Sequence, residues 1–136
     1  MLENPKVNIK IKLAALWASV TFCYLYGDYF ELYTPDKVNS LITGENILNS
    51  PTKLLIATLI MAIPSIMVAA SIILKPKTNR ILNILFGTLF TLMMIFIGVN
   101  SMTEWYSFYA FLAFLESIIT FSIIWHAWKW PKKILD

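Results

Sequence analysis

Residues 54–99 read LLIATLIMAIPSIMVAASIILKPKTNRILNILFGTLFTLMMIFIGV. Two continuous apolar runs flank a short polar connection, residues 75–80, that carries Lys75, Lys77 and Arg80. An α-helix needs about 20 mostly apolar residues to cross a bilayer, and each run meets that length. Neither run alternates polar and apolar positions, so helices are expected here and a barrel is not. The connection is too polar to enter hydrocarbon and too short to do more than turn the chain back. This stretch therefore predicts two antiparallel membrane helices.

Two further segments read the same way on either side, so four spans are predicted, at about 13–33, 54–74, 81–99 and 108–128. The chain has 136 residues, a length that suits one domain, here 1–136. Charged residues make up 14%, against about 25% in soluble domains. The expected fold class is an all-α integral membrane four-helix bundle. Cys23 is the sole cysteine, which excludes an intrachain disulfide, and with His126 the sole histidine a Cys/His zinc site is excluded too.

The basic residues orient the spans. Lys6, Lys10 and Lys12 precede the first, Lys75, Lys77 and Arg80 lie between the second and third, and Lys129, Lys132 and Lys133 follow the fourth. Only Lys37 and Lys53 fall on the other side. Cytoplasmic segments carry the excess of lysine and arginine, so both termini are expected in the cytoplasm. The net charge of +3 is explained by this placement, and no nucleic-acid partner is expected. Trp125, Trp128 and Trp130 mark one interface; Tyr29, Tyr33, Trp105 and Tyr106 mark the other. Cleavage of the first span as a signal peptide is not expected, because Asp28 and Glu31 interrupt its apolar stretch and no small-x-small site ends it.

The outer loop opens with TPDKVNSLI, residues 34–42. Thr34 suits a helix cap, Pro35 the first helical position and Asp36 the helix dipole. Val38, Leu41 and Ile42 then share a face, which predicts a short amphipathic helix in the outer interface, stopped near Gly44. A plain loop is the competing reading.

The acids within the spans raise the chemical question. Thr21, Tyr24, Asp28 and Glu31 follow helical offsets of 0, 3, 7 and 10, one polar stripe on the first span. Glu116 falls near the middle of the fourth, sharing a face with Tyr109, Ala113 and Thr120. A charge at such depth costs several kcal/mol unless it is paired, hydrated or neutralised. No lysine or arginine lies inside any span, so no internal ion pair is expected. Three states answer the cost: a neutral acid, a bound cation, or a wet cavity with bonds to Tyr24, Thr21, Asn100 or Thr120. The candidate cation, proton or ligand site is therefore Asp28, Glu31, Glu116, Tyr24, Thr21 and Thr120, with Asp28 and Glu116 expected on one interior cavity. The residues do not specify a metal, and no cofactor is expected. Blander roles compete at each acid: a hydrated interfacial group for Glu31, a packing hydrogen bond for Glu116.

Pro64 removes one helical hydrogen bond in the second span, with a kink expected and Ser65 placed to compensate. Ala14 and Ala18, Ser65 and Ala69, and Ala113 and Ser117 are small pairs at four-residue spacing, suited to close helix contact. His126 reads as an interfacial anchor, and Met93 and Met94 as filler. No GxSxG, HExxH, phosphate loop or CxxC occurs, so an enzyme is poorly supported.

The segments KLAALWASVTFCYLYGDYFELYTP, LIMAIPSIMV, LKPKTNRILNI and WHAWKWP, taken together, resemble a family of small four-span bacterial integral membrane proteins of unknown function. The resemblance covers nearly the whole chain. It implies four helices in a bacterial cytoplasmic membrane and no particular activity. It also implies a recurrent acid at Asp28 and another at Glu116. Three functions compete. The first is permeation or transport of a cation or proton through the carboxylates, which in a four-helix protein suggests a homo-oligomer. The second is an accessory subunit docked on a larger membrane protein. The third is an enzyme acting on a lipid or quinone. Only the lipid bilayer is a partner common to all three.

Overall fold

In a computed structural model, described here for residues 1–133, the chain is all helical: α1 (Ile9–Glu31), α2 (Lys37–Thr43), α3 (Pro51–Ile73), α4 (Pro76–Asn100) and α5 (Ser107–Trp128). The last three residues of the expected single unit lie outside the described residues. The four long helices have 22 to 25 residues and are apolar enough to cross a membrane. At 1.5 Å per residue they are about 33–38 Å long, a little more than a hydrocarbon core of about 30 Å.

Local chemistry places the helix starts earlier than hydropathy alone suggests. Asn8 caps α1, its side chain accepting from the Lys10 amide at 2.9 Å, so the helix includes Lys10 and Lys12. Ser50 caps α3 by accepting from the Lys53 amide at 3.2 Å, and Pro51 opens the helix. Pro76 opens α4 inside what reads in sequence as a connection. In each proline-led start the missing amide is one that the first helical turn leaves unbonded anyway.

The helices pack as a ring in which α1 sits between α3 and α5, and α4 runs along α5. The contact of α3 with α4 is sparse, although only Leu74 and Lys75 join them. Leu13, Trp17, Val20 and Tyr24 from α1 meet Met67, Phe90, Met94 and Ile123 in the core. Two glycines let α4 approach α5: a Cβ on Gly87 would lie 2.9 Å from Ile124, and one on Gly98 would lie 3.0 Å from the Phe114 ring. Ala113 and Ser117 are buried in the bundle, whereas Ser65 and Ala69 are exposed. Leu, Ile and Phe side chains stand exposed along all four long helices, the surface that hydrocarbon would cover.

One end of the bundle carries the basic residues. Lys10 Nζ donates to the carbonyls of Ile72 and Leu74, at 3.2 and 2.7 Å, closing the end of α3. Arg80 donates to the carbonyls of Ala127 and Trp128, at 3.1 and 3.2 Å, closing the end of α5. Both interactions place a cation where a helix terminus leaves carbonyls unbonded and the dipole is negative.

At the opposite end the connection departs from expectation. Thr34 does not cap α2; it is buried and donates to the Glu31 carbonyl at 2.7 Å, extending the end of α1. The position before α2 belongs to Asp36, whose backbone is left-handed at φ 63° and whose side chain makes no capping bond. Gly44, left-handed at φ 76°, follows the helix. Val38, Leu41 and Ile42 are all exposed on α2.

Candidate functional site

A cavity of about 250 Å³ lies between α1, α3, α4 and α5, walled by Tyr24, Asp28, Met61, Met93, Tyr109 and Glu116 among others. Tyr24, Gly27 and Asp28 reach it from one face of α1; Tyr109, Leu112, Ala113 and Glu116 reach it from one face of α5. These are the three- and four-residue spacings that bring side chains together on a helix. Asp28, Leu48, Ile97 and Tyr109 also wall a wider outer vestibule of about 760 Å³, bounded on its far side by α2 and the segment after it. The two spaces thus adjoin at Asp28 and Tyr109. Toward the basic end Trp17, Val20, Phe90 and Ile123 are fully buried and pack as core.

Glu116 is the group that defines this site. It stands within a residue or two of the middle of α5 and is only 4% exposed. Its carboxyl has no hydrogen-bond partner among the described residues, and no basic side chain walls its cavity. The backbone carbonyl is used instead, accepting from Thr120 Oγ1 at 3.0 Å. Tyr24, on the same cavity wall, is 7% exposed, and its sealed hydroxyl makes no hydrogen bond among the described residues. Two polar groups are thus held without partners in one apolar section.

Asp28 differs. It lies about 12 Å along α1 from the helix midpoint at 1.5 Å per residue, exposed where vestibule and cavity meet. Tyr109 donates to it over a long 3.4 Å. The partners considered in sequence do not reach it. Thr21 donates to the Trp17 carbonyl at 2.8 Å, and Asn100 to the Phe96 carbonyl at 2.8 Å. Thr120 faces α4, where Thr91 Oγ1 donates to Thr120 Oγ1 at 2.7 Å. Thr21 and Thr120 therefore serve helix and bundle, away from the cavity.

Glu31 has an ion-pair partner from outside the spans, which the expectation of no internal pair did not consider. Lys37, at the start of α2, lies 2.9 Å from Glu31 Oε1, and Tyr106 donates to the same oxygen at 3.2 Å. The lysine comes from the connecting segment, which folds back over the end of α1, so counting charges inside the spans misses it. Pro64 is fully buried in an unbroken α3, and Ser65 is exposed without a hydrogen bond. His126 donates from Nδ1 to the Ser122 carbonyl at 2.7 Å, within its own helix. Met93 and Met94, read as filler, are on the cavity wall.

Sequence reading missed a second polar cluster, nearer the basic end. Trp17 Nε1 donates to Asn83 Oδ1 at 2.7 Å. Asn83 Nδ2 donates to Asn79 Oδ1 at 2.7 Å, and Asn79 Nδ2 to the Ser71 carbonyl at 2.6 Å. All four residues are fully buried. The cluster ties α1, α3 and α4 together across the bundle, and its amides are satisfied as buried polar groups require. Asn79 and Asn83, with Gly87 and Thr91 at the same four-residue spacing, form a stripe that was present in the sequence.

Among the described residues no group of three or more acidic, histidine or cysteine side chains is arranged to hold a metal ion. The chain belongs to a family of unknown function, DUF6326, whose pattern it matches over residues 4–136. No curated protein and no solved structure matches it.

Proposed function

We propose that this multi-pass membrane protein binds a cation or proton at Glu116 and passes it to and from the outer vestibule by way of Asp28. One observation carries the reading. A carboxyl without a partner among the described residues is held near the middle of a membrane-length helix, on a cavity that adjoins the vestibule. Such a group is costly in hydrocarbon, and a packing role would be served better by an uncharged residue. The vestibule supports the same reading. Four acids, Asp28, Glu31, Asp36 and Glu45, wall it against one lysine, Lys37, so its field draws cations inward. A site that adjoins the vestibule and is backed by buried core suits a carrier that alternates.

The membrane proposed is the bacterial cytoplasmic membrane, with both termini inside. Nine of the eleven basic residues gather at the end of the bundle that holds the N-terminus and the end of α5. The vestibule then faces outward.

The test is flux of protons and of monovalent cations into liposomes that contain the purified protein. Wild type is compared with Glu116→Gln and Asp28→Asn. Flux is expected in wild type, absent in Glu116→Gln and slowed in Asp28→Asn. Equal flux in all three, or none in correctly folded wild type, overturns the proposal.

A further inference from the structure

We infer that the occupant of the inner cavity is a small organic cation, an ammonium with a compact apolar body, rather than a bare inorganic ion. This rests on the reading of Glu116 and Asp28 as a cation site. The donor set argues first. A hard divalent cation stripped of water is satisfied by about six to eight oxygens. The cavity offers two carboxyls on different helices and two phenols, and the rest of its wall is methionine and aliphatic. Met61, Met93 and Met94 are poor ligands for such an ion. They are good neighbours for an alkyl body, because thioether chains adapt to irregular apolar shapes.

The aromatic wall points the same way. Tyr24 and Tyr109 both line the cavity, and aromatic rings are the groups that attract a weakly hydrated cation in the aromatic cages that bind quaternary ammonium. Volume then limits size. About 250 Å³ far exceeds one desolvated ion, yet falls below the roughly 300–1,000 Å³ of pockets that hold drug-sized ligands. Charge sets the sign. A neutral solute gains nothing from a carboxylate at Glu116, and an anion is repelled by every acid of the vestibule. An ammonium and a proton compete for the same carboxylate, so one proton leaves when one ammonium enters and the charge of the site is unchanged.

The experiment is calorimetric titration of the purified full chain in detergent with tetramethyl-, tetraethyl- and tetrapropylammonium. Potassium and sodium chloride are run as inorganic probes. Saturable one-site binding is expected for at least one ammonium, with an optimum within the series. Affinity is expected to fall as pH falls, and buffers of different ionisation heat are expected to report proton release. Glu116→Gln is expected to weaken binding at least tenfold, whereas Glu104→Gln, outside both spaces, leaves it unchanged. If Glu116→Gln fails to fold, Asp28→Asn serves, because that side chain is exposed and its loss leaves the core intact; a weakening of threefold or more is expected. Absence of saturable ammonium binding to folded wild type overturns the inference, as does undiminished binding to folded Glu116→Gln. Proton or potassium flux without ammonium binding overturns this inference alone. Ammonium binding without flux of any kind overturns the transport reading alone.

Discussion

Replacing Tyr24 with phenylalanine should make the protein more stable, an unusual outcome for a change at a buried position. The Tyr24 ring packs beside Phe90 with centroids 5.9 Å apart, and phenylalanine keeps that contact. What it removes is a hydroxyl sealed from solvent and bonded to nothing. A buried polar group left without a partner costs about 1–3 kcal/mol. Deleting it recovers most of that, less the slack left by one missing atom, so a net gain of about 1–2 kcal/mol is expected. Tyr109→Phe is the matched control. Its hydroxyl donates to Asp28 at 3.4 Å, so its loss should cost at most about 1 kcal/mol. The assay is reversible unfolding in mixed micelles titrated with a denaturing detergent, followed by tryptophan fluorescence; Trp17 is a reporter fully buried in the core. The two substitutions should have opposite signs. A Tyr24→Phe protein less stable than wild type by 1 kcal/mol or more would refute the reasoning, since the hydroxyl would then be bonded in the folded state. A tyrosine retained against its own stability cost is the kind of local conflict that marks functional walls.

Other outcomes follow from the same geometry. Asn83→Leu leaves the Trp17 indole N–H and Asn79 Oδ1 without these partners, and should destabilise the bundle by about 1–3 kcal/mol in the same unfolding assay; adding Trp17→Phe should recover part of that loss. Gly98→Ala forces a Cβ to within 3.0 Å of the Phe114 ring and should cost about 1–2 kcal/mol, whereas Gly27→Ala meets its neighbours at 3.5 Å and should be neutral or stabilising. Lys37→Met removes the partner of a partly exposed ion pair, and because Tyr106 still donates to Glu31 the loss should stay below about 1 kcal/mol. In intact cells an impermeant thiol reagent should label Lys53→Cys from outside and spare Lys77→Cys; the reverse pattern would invert the proposed orientation.

Much of this architecture is legible in the residues because a bilayer imposes a length and a hydropathy on every crossing. The helix ends are less so. Asn8, Ser50 and Pro76 extend α1, α3 and α4 into segments that hydropathy assigns to loops, because capping and proline geometry act on single residues. The site divides the same way. The spacing of Tyr24 and Asp28, and of Tyr109 and Glu116, identifies two faces, but only the ring order of helices brings those faces onto one cavity. That order is set by steric detail such as Gly87 and Gly98 against α5, which no single helix reveals. The Glu31–Lys37 pair was missed because its lysine lies outside the spans, and the Asn79–Asn83 cluster because Asn79 falls in the segment that reads as a connection.

The sparse seam between α3 and α4 gives the bundle a soft side. Met61 on α3 and Met93 and Met94 on α4 line the inner cavity, so flexible thioether chains from both sides of that seam share its wall. Separating α3 from α4 exposes mostly apolar surface to acyl chains, which solvate it about as well as another helix does. Movement of α3 against α4 is then the least costly way for the inner cavity to change its size, with the extensive α4–α5 contact holding fixed.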